Sequence, residues 1–361
     1  KGCRHKILAI FAGEEEPRGS HRLSNNAIFT KYNPLYTMVN SKPYVIGIDM
    51  GGTNTVFGIV DARGVVLTSD SIKTRKHSNI NDYIDELYAG ITRLIESIEA
   101  QDKIFGIGVG APNANYYTGM IEDGVNLPWP TPVPFAQLLR DKFNIPVAIT
   151  NDANAAAIGE MTYGAARGLK DFIMITLGTG VGSGVVVNGQ LVYGHDGFAG
   201  ELGHVIVKRN NGRLCGCGRA GCLETYCSAT GVARTAREFL EIRDGESSLL
   251  RNIPIDEITS KDVYDAAMAG DKLAKDVFEY TGNILGEALA DFTTFTSPEA
   301  FILFGGLAKS GELLLKPLRE SMERNMLSIW KNKVKILPSE LKEADAAVLG
   351  ASALGWEAKD K

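Results

Sequence analysis

Two segments of the chain share one pattern: an apolar strand, a glycine-rich turn and a second apolar strand. Residues 46–60 align without gaps on residues 173–187. Glycine-rich turns between apolar runs are typical of β-hairpins, and a repeated unit points to two halves built on one plan. Chance similarity between two hairpins is the alternative interpretation. The repeat predicts an α/β chain with two related halves.

The residues around the first copy predict a mixed sheet. Short apolar runs predict strands at 44–49, 56–60, 65–67, 104–109 and 146–150. Apolar residues at helical spacing predict a helix over 83–98, and a second helix is expected near 135–143. The order β-β-β-α-β-α-β is typical of an α/β domain with a mixed sheet.

The second copy is expected to open a longer half. Asn188 and Gly189 predict a tight hairpin turn into a strand at 190–193. Beyond the cysteine-rich segment the chain should be mostly helical to about residue 296. A buried strand at 300–304 and a last helix over about 343–356 are then expected.

These patterns divide the chain into three parts. We expect a small α/β domain over 42–156, completed by a carboxyl-terminal helix over 343–358, and a large α/β domain over 157–342. Residues 1–41 are broken by proline and glycine, and we interpret them as a disordered or non-native amino-terminal arm. Deletion of residues 1–37 is therefore expected to leave activity unchanged.

The composition argues against several classes of protein. The chain of 361 residues has 38 basic and 43 acidic side chains, and its net charge of −5 argues against a nucleic-acid partner. No apolar run approaches the ~18 residues of a membrane span, so no membrane partner is expected. Three of the five cysteines lie close together, which is unlike a disulfide framework and favours a reducing, cytoplasmic location.

The glycine-rich turns are candidate phosphate-binding sites. Glycine permits a close backbone approach, so successive N–H groups can converge on an anion. The residues concerned are Gly51, Gly52, Thr53 and Asn54 in the first turn, Gly178, Thr179 and Gly180 in the second, and a third pair, Gly305 and Gly306. If the two turns face each other, they can clamp the phosphates of a nucleotide. No Gly-x-x-x-x-Gly-Lys-Ser/Thr sequence is present, so a P-loop is not expected.

The aligned turns differ at one chemically important position. Asp49 closes the first strand, and Thr176 is its counterpart in the second copy. A carboxylate beside phosphates suits Mg²⁺, which needs few protein ligands when phosphates supply the others. The alternative is that Asp49 accepts hydrogen bonds from the amides of its own turn.

Asn151 and Asp152 stand where a buried strand gives way to a helix. An aspartate at the carboxyl end of a strand is well placed for ligand binding, and it can accept the proton of a hydroxyl that attacks a phosphate. A role for Asp152 as the N-cap of the helix is an alternative of equal weight.

Four possible metal ligands lie within about twenty residues of one another: His204, Cys215, Cys217 and Cys222. Structural zinc is bound tetrahedrally by such Cys₃His sets. Two acids, Glu201 and Glu224, bracket the cluster. A metal-braced loop beside two carboxylates predicts a scaffold for a polar ligand, and a zinc knuckle with a folding role alone is the alternative.

Together these segments resemble the ROK family, specifically its bacterial glucokinase-like sugar kinases. The resemblance runs from about residue 42 to residue 356 and rests on both glycine turns and on residues 200–204 with the three cysteines. It implies the actin-like, ribonuclease H-like fold, in which two α/β lobes with a cleft between them close over a sugar and ATP.

The resemblance also implies roles for individual residues. Asp152 would be the general base that takes the proton from the sugar 6-hydroxyl. The sugar hydroxyls would be bound by Asp152 together with Asn126, Asn151, Glu201, His204 and Glu224. One ring nitrogen of His204 would bind zinc while the other faces the sugar. The nucleotide would be bound by Asp49 and the two turns, with Gly305 and Gly306 beside the adenosine.

The implied reaction is the ATP- and Mg²⁺-dependent phosphorylation of the 6-hydroxyl of a hexose, with glucose favoured and with a structural zinc ion. Kinases for N-acetylglucosamine, N-acetylmannosamine or fructose share these motifs and stay open as alternatives. A sugar-responsive repressor of the same family is an alternative of another class, although the retained Asp152 and both turns favour catalysis. Dimers are common in the family, so a homodimer is expected.

Overall fold

The computed structural model describes residues 42–123, 127–341 and 343–358. This part of the chain divides into two compact units. The first contains the described residues up to Gly168, the segment Tyr193–Phe198 and the described residues from Glu340 onward, and the second contains Leu169–Val192 and Ala199–Ser339. The arm expected over 1–41 lies outside the described residues.

The first unit is built on a five-stranded mixed sheet. Its strands are β1 (Tyr44–Met50), β2 (Asn54–Asp61), β3 (Val66–Lys73), β4 (Ile104–Gly110) and β5 (Val147–Thr150), in the spatial order β3-β2-β1-β4-β5. Strand β1 pairs antiparallel with β2 and parallel with β4, and β5 extends the parallel part. The carboxyl ends of β1, β4 and β5 therefore meet at one edge of the sheet.

Strand β3 is longer than the sequence predicted. The expected strand covered 65–67, whereas β3 continues to Lys73. It is an outer strand that pairs with β2, and most of its residues are exposed. Because an outer strand needs few apolar side chains, the hydrophobic pattern that predicts strands is weak there.

Three helices of the first unit follow these strands in the chain: α1 (Ile80–Ser97), α2 (Phe135–Phe143) and α3 (Asp152–Tyr163). Tyr83 and Leu87 of α1 and Leu139 of α2 join the same hydrophobic core as Ile46 and Ile48 of β1. The order β-β-β-α-β-α-β predicted from the sequence is confirmed for this unit.

The second unit repeats the sheet of the first. Its strands are β6 (Phe172–Leu177), β7 (Val181–Val187), β8 (Gln190–Leu191), β9 (Ala300–Phe304) and β10 (Lys335–Pro338), in the order β10-β9-β6-β7-β8. Strand β6 pairs antiparallel with β7 and parallel with β9, as β1 does with β2 and β4. The predicted repeat is confirmed, because the two sheets have the same strand order and the same pairings.

The hairpin between β7 and β8 forms as predicted. Asn188 and Gly189 have φ of 52° and 69°, the left-handed backbone that a tight two-residue turn requires. Strand β8 is shorter than the expected 190–193, because the chain passes at Tyr193 into a segment that belongs to the first unit.

The helical part of the second unit follows the cysteine-rich segment. It consists of α4 (Glu224–Cys227), α5 (Ala229–Ile242), α6 (Ser260–Met268), α7 (Lys272–Thr296) and α8 (Glu312–Asn325). The predicted end of the helical stretch near residue 296 is confirmed by α7.

The last helix, α9 (Glu343–Gly355), belongs to the first unit and lies on its sheet. A Cβ on Gly47 would stand 2.2 Å from Val348 O, and a Cβ on Gly108 would stand 1.9 Å from Ala351 O. Glycine at these two strand positions permits the close contact between helix and sheet. Among the described helices, none combines the length and the apolar character needed to cross a lipid bilayer.

Candidate active site

The sheet edge where the parallel strands end carries two carboxylates. Asp49 on β1 is level with Gly110 on β4, and Gly110 is level with Thr150 on β5. Asp152 begins α3 directly beyond β5. A Cβ on Gly110 would lie 3.5 Å from Asp152 Cα and 3.6 Å from Asp49 Oδ1. The strand register therefore brings the two acids to either side of Gly110.

Asp49 is a half-buried carboxylate at the end of β1. Burial and, second, the charge of Asp152 raise the pKa of Asp49 from 3.8 to about 7. In the described part of the chain no N–H or O–H group donates to this carboxylate, the amides of its own turn included. The alternative in which Asp49 bonds its own turn is thus not observed, and its oxygens are available to a cation.

Asn151, rather than Asp152, is the N-cap of α3. Asn151 Oδ1 accepts from the Ala153 N–H at 2.9 Å, and Asp152 is the first residue of the helix. Asp152 Oδ1 lies 2.7 Å from the same N–H. Asp152 keeps a solvent-accessible face, yet the surrounding protein restricts its hydration, and this desolvation raises the pKa of its carboxyl. The N-cap of α3 is therefore supplied by Asn151, and the alternative in which Asp152 serves as the N-cap is not observed.

The first turn, residues 51–54, is closed by one backbone hydrogen bond and leaves two adjacent N–H groups to consider. Gly51 N–H donates to Asn54 C=O at 2.9 Å and closes the turn. Among the described residues, the N–H groups of Gly52 and Thr53 donate to no protein group. Adjacent unpartnered amides are the elements of an anion site.

The second turn, residues 178–180, is one residue shorter than the first, so the gapless alignment of the two copies does not extend through the turns into β2 and β7. Gly178 N–H donates to Gly180 C=O at 3.1 Å. Within the described chain, the N–H groups of Thr179 and Gly180 have no acceptor. In the alignment of the repeat, these two residues are the counterparts of the two free donors in the first turn.

The third glycine pair lies beside the second turn. Gly305 and Gly306 follow β9, and its parallel partner β6 leads into that turn. Gly305 has φ of +103°, and a Cβ there would stand 2.6 Å from Leu177 O. Only glycine fits so close to the turn, so the second unit brings the second and third glycine motifs together.

The four possible metal ligands converge in the second unit. One ligand atom from each of His204, Cys215, Cys217 and Cys222 lies within 4.8 Å of the other three. Cys215 Sγ is 3.7 Å from His204 Nδ1, and Cys217 Sγ is 3.7 Å from Cys222 Sγ. Tetrahedral zinc with Zn–S bonds of ~2.3 Å holds its sulfur ligands about 3.8 Å apart. The set fits zinc, and Nε2 of His204 is left for a second partner.

Glu224 connects the cysteine cluster to the second turn. Its Oε2 accepts from Val181 N–H at 3.1 Å, and its Oε1 lies 3.5 Å from Cys215 Sγ. A Cβ on Gly180 would stand 2.2 Å from Glu224 Oε2, so the carboxylate occupies the space that any side chain at 180 would need. The residue predicted as a sugar ligand thus also joins two parts of the site.

The loop that carries Glu201 and His204 is held by Ser183 of β7, a residue that the sequence did not single out. Ser183 Oγ donates to Gly200 C=O and accepts from Leu202 N–H at 3.1 Å. The two partners are far apart in the chain, so no local pattern reveals this contact.

Arg213 is a second residue that sequence reasoning missed. Its side chain is 6% exposed, and it pairs with Glu238 at 2.5 Å. The guanidinium also contacts four neighbours: Thr225 O at 2.7 Å, Gly231 O at 3.3 Å, Thr235 Oγ1 at 2.8 Å and the Tyr226 ring at 4.5 Å. It fixes the loop that leads into Cys215. A single arginine in a polar loop gives no sequence signal for burial.

Each unit thus contains some of the predicted site residues. The first holds Asp49, the first turn, Asn151 and Asp152, and the second holds the second turn, the third glycine pair, both glutamates and the cysteine cluster. Asn126 lies outside the described residues, and its sugar contact stays a prediction.

Comparison with known proteins agrees with this geometry. The profile of the ROK family matches residues 45–358. The glucokinase of Halalkalibacterium halodurans is 36% identical over 329 residues, which are 89% of this chain and 96% of that protein. The glucokinase of Thermotoga maritima is 34% identical over 313 residues, 86% of this chain and 96% of that protein.

A solved structure shows the same fold. The ROK family glucokinase from Streptomyces griseus, in complex with glucose and AMPPNP, matches with a TM-score of 0.72 and 32% identity over 87% of this chain and 99% of that one. The actin-like α/β fold expected from the sequence is confirmed. The match across nearly all described residues establishes that the chain belongs to the ROK family.

Proposed function

We propose that this protein is an ATP-dependent hexose kinase that phosphorylates the 6-hydroxyl of glucose. The observation that carries the proposal is the pair of carboxylates, Asp49 and Asp152, at a sheet edge beside a turn with two unpartnered amides. Phosphoryl transfer to a hydroxyl needs a base for its proton, a ligand for Mg²⁺ and donors for the phosphates. The glucokinases described above support glucose as the acceptor.

Asp152 is proposed as the general base. Desolvation raises the pKa of its carboxyl, which makes the carboxylate a stronger acceptor for the hydroxyl proton. As the sugar oxygen forms its bond to the γ-phosphorus, the 6-hydroxyl proton passes to Asp152 and the bond between the γ-phosphorus and the ADP oxygen breaks. General-base help of this kind is typically worth about 10²–10⁴ in rate.

Asp49 and the glycine motifs are proposed to bind MgATP. The carboxylate of Asp49 would ligate Mg²⁺, which supplies positive charge to the phosphates. The free amides of the two turns would donate to phosphate oxygens, and Gly305 and Gly306 would lie beside the adenosine. The roles proposed for the turn residues follow from their unpartnered N–H groups.

The sugar is proposed to be held by its hydroxyl groups. Its hydroxyls would be bound by Asn126, Asn151, Glu201, His204 and Glu224. With Nδ1 of His204 directed at the cysteines, a zinc ion there would fix the tautomer and leave Nε2–H as a donor. The zinc role is structural, and the distances between the four ligands support it.

We further propose that the protein acts in the cytoplasm as a homodimer. Its lobes would comprise residues 42–156 with the helix over 343–358, and residues 157–342. Size-exclusion chromatography with light scattering measures the oligomeric state directly, and a monomer at working concentration would contradict the dimer.

The first experiment is ATP turnover with glucose, mannose, N-acetylglucosamine, N-acetylmannosamine and fructose, with ADP formation coupled to a readout. We expect the highest kcat/KM for glucose. Preference for an N-acetylhexosamine or fructose would move the assignment to the corresponding kinase. No turnover together with tight, salt-dependent binding of operator DNA would identify a repressor instead.

The second experiment replaces the proposed base. Asp152→Asn should lower kcat by about 10²–10⁴ while glucose affinity, measured by calorimetry, stays near the wild-type value. Asp102→Asn, at an exposed turn outside both sheets, is the matched control and should be fully active. An Asp152→Asn variant with wild-type kcat would remove the mechanism.

A further inference from the structure

The first turn is held from one side by residues that follow β3. Thr74 Oγ1 donates to Gly51 C=O at 2.8 Å, and Arg75 Nε donates to Gly52 C=O at 2.9 Å. Thr74 N–H donates to Thr53 C=O at 3.0 Å. Three successive carbonyl groups of the turn are therefore bound by two adjacent residues.

Thr74 is itself anchored in the core of the first unit. Its hydroxyl lies 2.9 Å from Thr55 Oγ1, which lies 2.7 Å from Tyr83 OH on α1. All three side chains are fully buried. A buried chain of hydroxyls thus fixes the residue that binds the turn.

The second turn is held in the same way by a different element. Ala229 N–H donates to Gly178 C=O at 2.8 Å, and Thr230 Oγ1 donates to Thr179 C=O at 2.9 Å. Both donors lie in the first turn of α5. In the repeat these carbonyls are the counterparts of those of Gly51 and Gly52. The two units bind equivalent carbonyl groups with unrelated residues.

Binding these carbonyls determines where the free amides point. In a trans peptide the C=O of one residue and the N–H of the next point in opposite directions. The peptides of both turns are trans, since Thr131–Pro132 is the one cis peptide bond found in the described chain. The N–H groups of Gly52, Thr53, Thr179 and Gly180 therefore point away from the residues that bind the carbonyls. Within the described residues, these are the four N–H groups of the two turns that lack a protein partner.

We propose that Thr74, Arg75 and Thr230 are positioning residues that orient the backbone amides of the two turns toward the nucleotide phosphates. The inference rests on the proposed function, because it takes a nucleotide as the ligand of both turns. A hydrogen bond to a peptide carbonyl also polarises that peptide and makes its N–H a stronger donor. The effect of each residue is then transmitted through the turn, without contact with the ligand.

Thr230 provides the sharpest test because it is exposed and lies outside the core. Thr230→Val removes the hydroxyl at nearly constant shape, and Thr230→Ser keeps it. We expect Thr230→Val to weaken binding of a nonhydrolysable ATP analogue about fivefold, the usual net effect of one hydrogen bond. Affinity for adenosine and for glucose should not change, and Thr230→Ser should bind as the wild type does. Titration calorimetry measures all three affinities.

Thr74→Val and Thr74→Ser test the first turn by the same comparison. Because Thr74 is buried, the thermal midpoint of each variant is measured as well. A positioning role predicts loss of affinity for the ATP analogue and not for adenosine. Equal loss for both ligands, or recovery of neither in Thr74→Ser, would show general damage to the fold and overturn the inference for this turn.

Arg75 has a neighbour of the same charge that serves as its control. Lys76 pairs with Glu86 at 2.7 Å and does not bind the turn. Arg75→Met should weaken binding of the ATP analogue several-fold, whereas Lys76→Met should not. Equal losses in the two variants would indicate long-range attraction by positive charge and overturn the positioning role of Arg75.

These outcomes separate the inference from the proposed function. If the wild type phosphorylates glucose but Thr230→Val and Thr74→Val bind the ATP analogue with unchanged affinity, the inference fails and the function stands. If the wild type binds no ATP analogue and phosphorylates no hexose, the proposed function itself fails.

Discussion

Arg213 offers a quantitative test of how the cysteine-bearing loop is held. Arg213→Met keeps the length of the side chain and removes its charge and all its donors. The groups that accept hydrogen bonds from the Arg213 guanidinium in the wild type differ in their exposure to solvent. Glu238 is 38% exposed, so water can replace the lost guanidinium, whereas Thr225 O, Gly231 O and Thr235 Oγ1 lie against a side chain that is 6% exposed.

The expected loss of stability follows from these three acceptors. Gly231 O keeps its hydrogen bond from Thr235 Oγ1 at 2.9 Å, so these two groups remain partnered in the variant. The loss of the three hydrogen bonds from the guanidinium costs about 1 kcal/mol each, which gives about 3 kcal/mol in total. The ion pair with Glu238 is not counted at full strength, because its carboxylate is more than a third exposed. For a unit of this size, 3 kcal/mol corresponds to a fall of roughly 6–12 °C in Tm.

Arg234→Met is the matched control. Arg234 binds the same carboxylate at 3.0 Å, but its side chain is 45% exposed. A surface pair of this kind contributes about 0–1 kcal/mol, so the Tm should change little. Differential scanning calorimetry measures both variants, and a colorimetric assay of bound zinc reports on the adjacent Cys215. Equal Tm values for Arg213→Met and the wild type would refute the reasoning from burial.

Two further predictions concern the metal cluster and the carboxylate pair. A strong chelator should remove the proposed zinc ion and lower the Tm, since the ion would link four ligands of one segment; active protein that contains no zinc would contradict this. Asp49→Asn should raise the Tm in Mg²⁺-free buffer. The folded-state pKa is raised from 3.8 to about 7, so ionisation destabilises the folded wild type progressively as pH rises through that window. The advantage of Asn should therefore be absent near pH 3, grow to about pH 7 and then stay level, and a pH-independent difference would contradict the assignment.

The sequence predicted the parts of the fold that depend on local patterns. Strands β1 and β6 are buried apolar runs that end in glycine turns, and β2 is a buried apolar run that begins at the first of these turns. Apolar runs and glycine turns can both be identified directly in the sequence. The alignment of the two copies also predicted the equivalence of Asp49 and Thr176, and each of them is the residue before the last in its strand, β1 or β6.

Contacts between distant segments could not be predicted in this way. The contacts from Thr74 to Gly51, Thr230 to Thr179 and Ser183 to Gly200 span 23, 51 and 17 residues. Threonine and serine are common on surfaces, so their type gives no indication of a partner. The assignment of the N-cap to Asn151 rather than Asp152 likewise depends on where the helix begins, and helix ends are the least reliable feature of a sequence pattern.

The two contacts of Glu224 limit how this enzyme can be re-engineered. In a chimera that takes its cysteine-rich segment from a relative, the residue at position 224 would also come from that relative. This residue contacts the backbone at Gly180 and Val181, so the exchange would also affect the second turn. With the roles proposed for Glu224 and the second turn, acceptor specificity and nucleotide binding would not be separable in the second unit. Directed evolution toward another sugar would have to vary the segment and the turn together, because a side chain at position 180 would displace the carboxylate of Glu224.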